Sequence, residues 1–165
     1  MKYIAHRGLM FGPDKNKENR PETVDAALRE GFDVEVDLWY YGRSWWLGHD
    51  ESQYAIDFSF LVKRKKNLWV HAKSEKTFVE LNNMNSTLNY FWHNVDSYTF
   101  TSKGIAWIYP GKPLAYNGVC VLPENTYDLA SLPAEVYSVR GICSDHVVRI
   151  RDSHVVHVRN SPILL

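Results

Sequence analysis

Phe32-Asp33-Val34-Glu35-Val36-Asp37-Leu38-Trp39-Tyr40 decides the fold. Val34, Val36 and Leu38 alternate with Glu35 and Asp37, which is the two-residue period of a strand rather than the 3.6-residue period of a helix. Upstream, Val24, Ala27 and Leu28 recur at helical spacing, Pro21 suits the first helical position and Gly31 supplies the stop. Before that helix, Lys2 to His6 is a short apolar run that reads as a strand. The loop from Gly8 to Asn19 carries Gly12-Pro13-Asp14 as its turn.

Downstream, Gly42-Arg43 turns the chain and Ser44 to Leu47 returns toward Gly48-His49-Asp50. A helical stretch is expected from Ala55 to about Lys65, a third strand over Leu68 to Ala72, and then a helix capped by Ser74 running through Phe78, Leu81 and Met84. Strands alternating with helices predict an α/β fold with parallel pairing. Tyr98 to Thr101, Ile105 to Tyr109, Gly118 to Leu122 and Gly141 to Asp145 read as further strands, with segments between them too short or too polar for full helices. The alternation from Val147 to Val158 around Asp152-Ser153 predicts a terminal hairpin or two short strands.

A chain of 165 residues is expected to form a single domain over 1–165. A full barrel of eight strand–helix units takes about 250 residues. A barrel here is therefore compact or incomplete, with several helices shortened or missing, and its open strand edges would need cover, as from a second copy in a homo-oligomer. At 45% hydrophobic and 23% charged residues the composition excludes a disordered or fibrous chain. With zero formal net charge and only the short run Lys63 to Lys66, which reads as a solvated helix end, no nucleic-acid face is expected. No apolar leader or spanning segment is evident, which predicts a cytoplasmic protein without an integral membrane segment. Cys120 and Cys143 form no Cys-x-x-Cys and read as buried free thiols.

Parity puts the carboxylates of Glu35 and Asp37 on one face of their strand. Two such charges some ~4 Å apart repel by about 4 kcal/mol at an effective dielectric near 20, and a divalent cation removes that repulsion. The pair therefore reads as a metal site. In the third strand Trp69, His71 and Lys73 likewise share a face. His6-Arg7, Glu35/Asp37 and His71/Lys73 all fall at the carboxyl ends of strands, where barrels gather their catalytic groups. Aromatic residues in strands are first of all core residues, and Trp69, on the face of His71, is the one best placed to meet a substrate.

Ile4-Ala5-His6-Arg7-Gly8, Arg20-Pro21-Glu22-Thr23, Glu35-Val36-Asp37 and Gly48-His49-Asp50 together resemble, in order and approximate spacing, the signature of the glycerophosphodiester phosphodiesterase family. Beyond residue 50 the likeness thins to Val70-His71-Ala72-Lys73, where the family has Glu-x-Lys, and to Gly141-Ile142-Cys143-Ser144-Asp145, which resembles its late Gly-x-x-Thr-Asp strand. The resemblance implies a TIM-type barrel that hydrolyses a small phosphodiester, with His6 and His49 as general acid and base. It also implies a divalent metal ion (Mg, Ca or Mn) on Glu35 and Asp37, and Arg7 and Lys73 facing the phosphate. His71 stands in place of Glu, so the metal site has lost one formal negative charge, and an imidazole ligand would favour Mn over Ca. Thr23 replaces the usual Asn, which would loosen a contact to the loop after His6; Glu22 is placed equally to pin Arg7 or the helix terminus and to bind metal; and the insertion that shapes the glycerol pocket has no evident counterpart. Two other readings remain: a phospholipase similar to sphingomyelinase D, and a barrel that binds metal and phosphate without turnover.

Overall fold

The computed structural model describes residues 1–160; residues 161–165 of the expected domain lie outside the described residues. Strand β1 (Lys2–Ala5) leads through helix α1 (Pro21–Arg29) into β2 (Asp33–Tyr41), and β3 (Ser44–Leu47) folds back on β2 with Leu38 opposite Leu47. The helix expected from Ala55 begins later. Asp57 accepts a hydrogen bond from the Ser59 N–H at 2.8 Å and caps α2 (Phe58–Arg64), which leaves β4 (Tyr54–Ile56) to extend the hairpin beside β3. β5 (Leu68–Ala72) and the Ser74-capped α3 (Glu75–Asn83) fall where expected, while β6 (Asn89–Phe91) is too short for its period to announce. β7 (Tyr98–Phe100), β8 (Ala106–Ile108), β9 (Gly118–Val121) and β10 (Gly141–Ser144) complete the strands.

The chain then ends in α4 (Val147–Asn160), a helix in place of the terminal hairpin or two short strands expected from Val147 to Val158. Val147 and Ile150 are fully buried, and their three-residue spacing places both on one side of a helix against the sheet. A hydrogen bond between Tyr3 Oη and His154 Nδ1 holds the next turn down.

Among the described residues the strands form one ten-stranded sheet. Its parallel members run β8-β9-β10-β1-β2-β5-β6, so the first strand of the chain pairs with the last and sequence order is kept around the curl. The result is a mixed α/β fold whose sheet curls into an incomplete barrel. β7 runs antiparallel beside β8 and meets β6 across a seam where one serine replaces most of a ladder. Ser102 donates its N–H to the Tyr90 carbonyl at 2.7 Å, while its hydroxyl donates to the Leu88 carbonyl and accepts from the Tyr90 N–H, each at 3.1 Å.

Outside the curl, Val34, Val36, Leu38, Val70 and Ala5 pack with Val24, Ala27, Leu61 and Leu81 of the helices. Each of the valines and leucines contributes about 1.5–3 kcal/mol when fully buried. Inside, Ile4, Trp69, Phe91, Trp107, Val119 and Cys143 fill the lumen. Between β9 and β10 no α-helix forms. Leu129, Val136 and Val139 from an irregular segment cover Cys120 and Ile142 instead, together with Ile150 of α4. Both cysteines are free and buried, and burial pushes the Cys120 thiol up to about 12, so it stays protonated. No helix among the described residues is long and apolar enough to cross a membrane.

Candidate active site

β1, β2 and β5 are parallel, so their carboxyl ends open on one rim. After β1, His6-Arg7-Gly8 makes a tight turn in which Arg7 and Gly8 are left-handed, with φ of 51° and 80°. A Cβ on Gly8 would come within 3.1 Å of the Val24 nitrogen, so the turn sits directly on α1. This geometry aims the Arg7 backbone N–H at Glu35 Oε2, 3.1 Å away, and sinks the His6 ring beside Asp145, with Nδ1 2.8 Å from Oδ1. His49 follows Gly48, whose φ is 151° and where a Cβ would lie 2.1 Å from the Glu51 carbonyl oxygen; only glycine fits.

Asp37 is the hub. Its Oδ2 accepts from Asn19 Nδ2 at 2.9 Å and lies 3.2 Å from His49 Nδ1; its Oδ1 lies 3.0 Å from His71 Nδ1 and 3.3 Å from Lys73 Nζ. Arg7 Nε is 3.1 Å from Oδ2 without the alignment of a hydrogen bond, and Arg7 Nη1 donates to Glu18 at 2.7 Å. The two nitrogens of His49 must differ. Lys73 Nζ and Asp37 both lie close to Nδ1, but a neutral ring whose Nε2 accepts from Arg7 Nη2 at 3.1 Å carries its proton on Nδ1. Nδ1–H then donates to Asp37, Lys73 pairs with the carboxylate, and the lone pair of Nε2 faces Arg7.

These groups surround a cavity of about 260 Å³, into which His6, Arg7, Glu35, Asp37, His49, His71 and Lys73 all converge, closed further by His93, Trp107 and Tyr109. Burial lowers the pKa of His6, but its bond to Asp145 and the charge of Glu35 outweigh that and leave it raised. Burial and the neighbouring Asp37 raise Glu35. Burial works the same way on Asp37, yet the hydrogen bonds from His49 and His71 and the Lys73 charge hold it well below the ordinary carboxylate range. His93 is pushed down to about 4 by burial and by His71, on which it stacks at 4.4 Å between ring centroids.

Glu35, Asp37 and His71 each offer one ligand atom, and those atoms lie within 4.8 Å of one another. The donor set suits a divalent cation. Two buried carboxylates and one imidazole can surround an ion.

One expectation needs correction. Trp69 does not line this cavity. It has the inward parity of His71 but sits one step toward the other end of β5, 3% exposed, its indole N–H donating to Asp33 at 3.0 Å. Of the alternatives for Glu22, pinning Arg7 falls to Glu18, while Glu22 stands in the first turn of α1; Asn19 ties the loop with its N–H on the Arg7 carbonyl at 2.9 Å and its side chain across Asp37. Asn19 holds the loop after His6, the loop whose contact Thr23 is expected to loosen. Sequence reading also missed Asp145 as the partner of His6 and His93 as a wall. Asp145 directly follows a strand end, a position that signals function in a parallel sheet; Glu18 and Asn19 lie in an aperiodic loop and carry no such signal. No family model matches the chain, and no curated protein or solved structure matches it either.

Proposed function

We propose that the protein is a metal-dependent phosphodiesterase on a reduced TIM-type barrel, similar to the glycerophosphodiester phosphodiesterases and acting on a small glycerol- or sugar-linked phosphodiester. The observation that carries this reading is the meeting of two histidines, two cations and a carboxylate–imidazole triplet in one small cavity at the strands' carboxyl ends. Arg7 and Lys73, paired with Asp37 in the absence of substrate, are placed to turn onto a phosphate's non-bridging oxygens. That turn frees Nε2 of His49, whose lone pair then takes the proton of the attacking hydroxyl or water. His6, with its pKa raised and Nδ1 fixed by Asp145, is the acid that protonates the leaving alkoxide from Nε2. A divalent ion on Glu35, Asp37 and His71 would neutralise charge building on the phosphoryl oxygens.

Hydrolysis of bis(p-nitrophenyl) phosphate by the purified protein with Mg, Ca or Mn tests the reading, and a panel of glycerophosphodiesters then separates substrates. A protein that binds metal and phosphate but shows no turnover with any of them is a binder, and the enzyme reading fails. Imidazole is a borderline ligand, so Mn should support a higher rate than Ca, and His71→Glu should move the preference toward Mg or Ca. The same metal ranking in both proteins, on one substrate, would place His71 outside the coordination sphere.

Asp145→Asn isolates the acid. Its carboxylate raises the His6 pKa, so the variant should lose activity at lower pH on the alkaline limb of the rate profile, where the acid deprotonates. An alkaline limb at the wild-type pH would remove His6 as the group titrating there.

A further inference from the structure

The end of the barrel opposite the catalytic cavity holds a second pocket, of about 250 Å³, at the amino ends of the parallel strands. Lys2, Lys65, Lys66, Lys103 and Arg140 line it against a single carboxylate, Asp33. These cations come from the start of β1, the turn after α2, the β7–β8 connection and the residue before β10, so the fold gathers them from distant stretches of sequence. Asp33 cannot balance them, because it already accepts from Lys2, from Asn67 Nδ2 at 2.7 Å and from the Trp69 indole at 3.0 Å. The ammonium groups of Lys66 and Lys103 have no ion-pair partner among the described residues. In a chain of zero formal net charge, a mouth this cationic is a local arrangement rather than a general excess of lysine.

The same pocket holds an unmet acceptor. Asn89 lines it, and the buried oxygen of its side chain has no hydrogen-bond donor among the described residues. A group that paired both with the cations and with this oxygen would carry several negative charges and at least one hydroxyl, as a phosphate monoester of a polyol or a protonated phosphate does. The pocket is a bounded cavity and not an extended stripe of the kind a nucleic-acid strand follows. Trp69 stands over it, and the Trp69–Trp107 contact, 5.8 Å between ring centroids, separates it from the catalytic cavity that Trp107 lines.

We propose that this mouth is a binding site for a small phosphorylated anion, distinct from the catalytic cavity and independent of the phosphodiesterase reading. Pyrophosphate is the probe. It is titrated calorimetrically into the metal-free full-length chain at low salt, with Lys66→Ala/Lys103→Ala as the test and Lys15→Ala/Lys112→Ala as a control that removes equal charge. Lys73→Ala reports any binding in the catalytic cavity. Lys66 and Lys103 are exposed, so their double variant should keep the wild-type circular dichroism. Saturable binding should weaken about tenfold or more in the Lys66/Lys103 variant and stay within about twofold in the other two. A two-step isotherm in which each of the Lys66/Lys103 and Lys73 variants removes a different step supports the same assignment. Three results overturn it: no saturable binding to the wild type, equal weakening in the charge control, or loss in Lys73→Ala alone.

Discussion

Asp37→Asn should destabilise the metal-free protein by about 3–5 kcal/mol, the usual consequence of removing one side of a buried charge network, whereas Glu35→Gln should make it more stable. The two carboxylates look interchangeable in the sequence and are nearly equally buried, at 1% and 2% exposure. Their surroundings differ. Asp37 meets Asn19, His49, His71, Arg7 and Lys73, so its charge is compensated and its pKa depressed. Its contribution is in place above the unfolded value of about 4 and is lost as pH falls through the lower folded value. Glu35 accepts one backbone N–H from Arg7 and has His6 Nε2 3.9 Å away, but burial and the neighbouring Asp37 outweigh these and raise its pKa. For that group stability is complete below the unfolded pKa and is lost as pH rises through the folded one, so at neutral pH its charge works against the fold. Urea titrations of both variants at neutral pH with chelator decide the matter: shifts of the same sign would mean that the pair acts as one unit. Added divalent ion should reverse the order for Glu35, since its charge is then needed.

The largest effect on turnover is expected at the histidines. His6→Ala and His49→Ala should each lower kcat by about a hundredfold or more, the common scale for a positioned acid or base, with circular dichroism unchanged. Acid and base act in one step, so the double variant should be little worse than the more damaged single one. A near-normal rate in either folded variant removes that residue from the chemistry. If turnover survives in Lys73→Ala but not in Arg7→Ala, the guanidinium alone carries the phosphate.

The legible part of this protein is the part whose local rules agree. In β1–α1–β2 and in β5–α3, strand alternation, the proline start of α1 and the Ser74 cap of α3 point the same way, and parity alone puts Glu35 with Asp37 and His71 with Lys73 on one face of their strands. His49 was legible only through its motif. Its position depends on Gly48, whose conformation and crowding are tertiary facts. α4 was misread because Val147-Val148-Arg149-Ile150-Arg151 suits a period of two as well as one of 3.6 over so short a window; the buried pair Val147 and Ile150 shows which period the packing chose. β6, a three-residue strand, holds its place by pairing Trp69 with Asn89 and His71 with Phe91, and no periodicity can report that. Glu18 and Asn19 are decisive for the site and lie in a loop whose course is set by left-handed residues at Arg7, Gly8 and Asn19.

The seam between β6 and β7 gives this small barrel a mechanical property that a fully laced wall lacks. Thr99 adds one more side-chain bond there, its hydroxyl on the Trp92 carbonyl at 3.0 Å, so the join depends on a few hydroxyls where the β2–β5 side has an unbroken ladder. Such a cylinder behaves as a split tube: thermal motion spreads it along the slit before it disturbs the opposite wall. His93 follows β6 on one side of the slit, and Tyr109 follows β8, which lies behind β7 on the other. Glu35 and Asp37, held on the laced side, keep their spacing while the far lip moves, so under the phosphodiesterase reading proposed above a leaving alcohol bulkier than the cavity would enter through the slit without disturbing the two carboxylates.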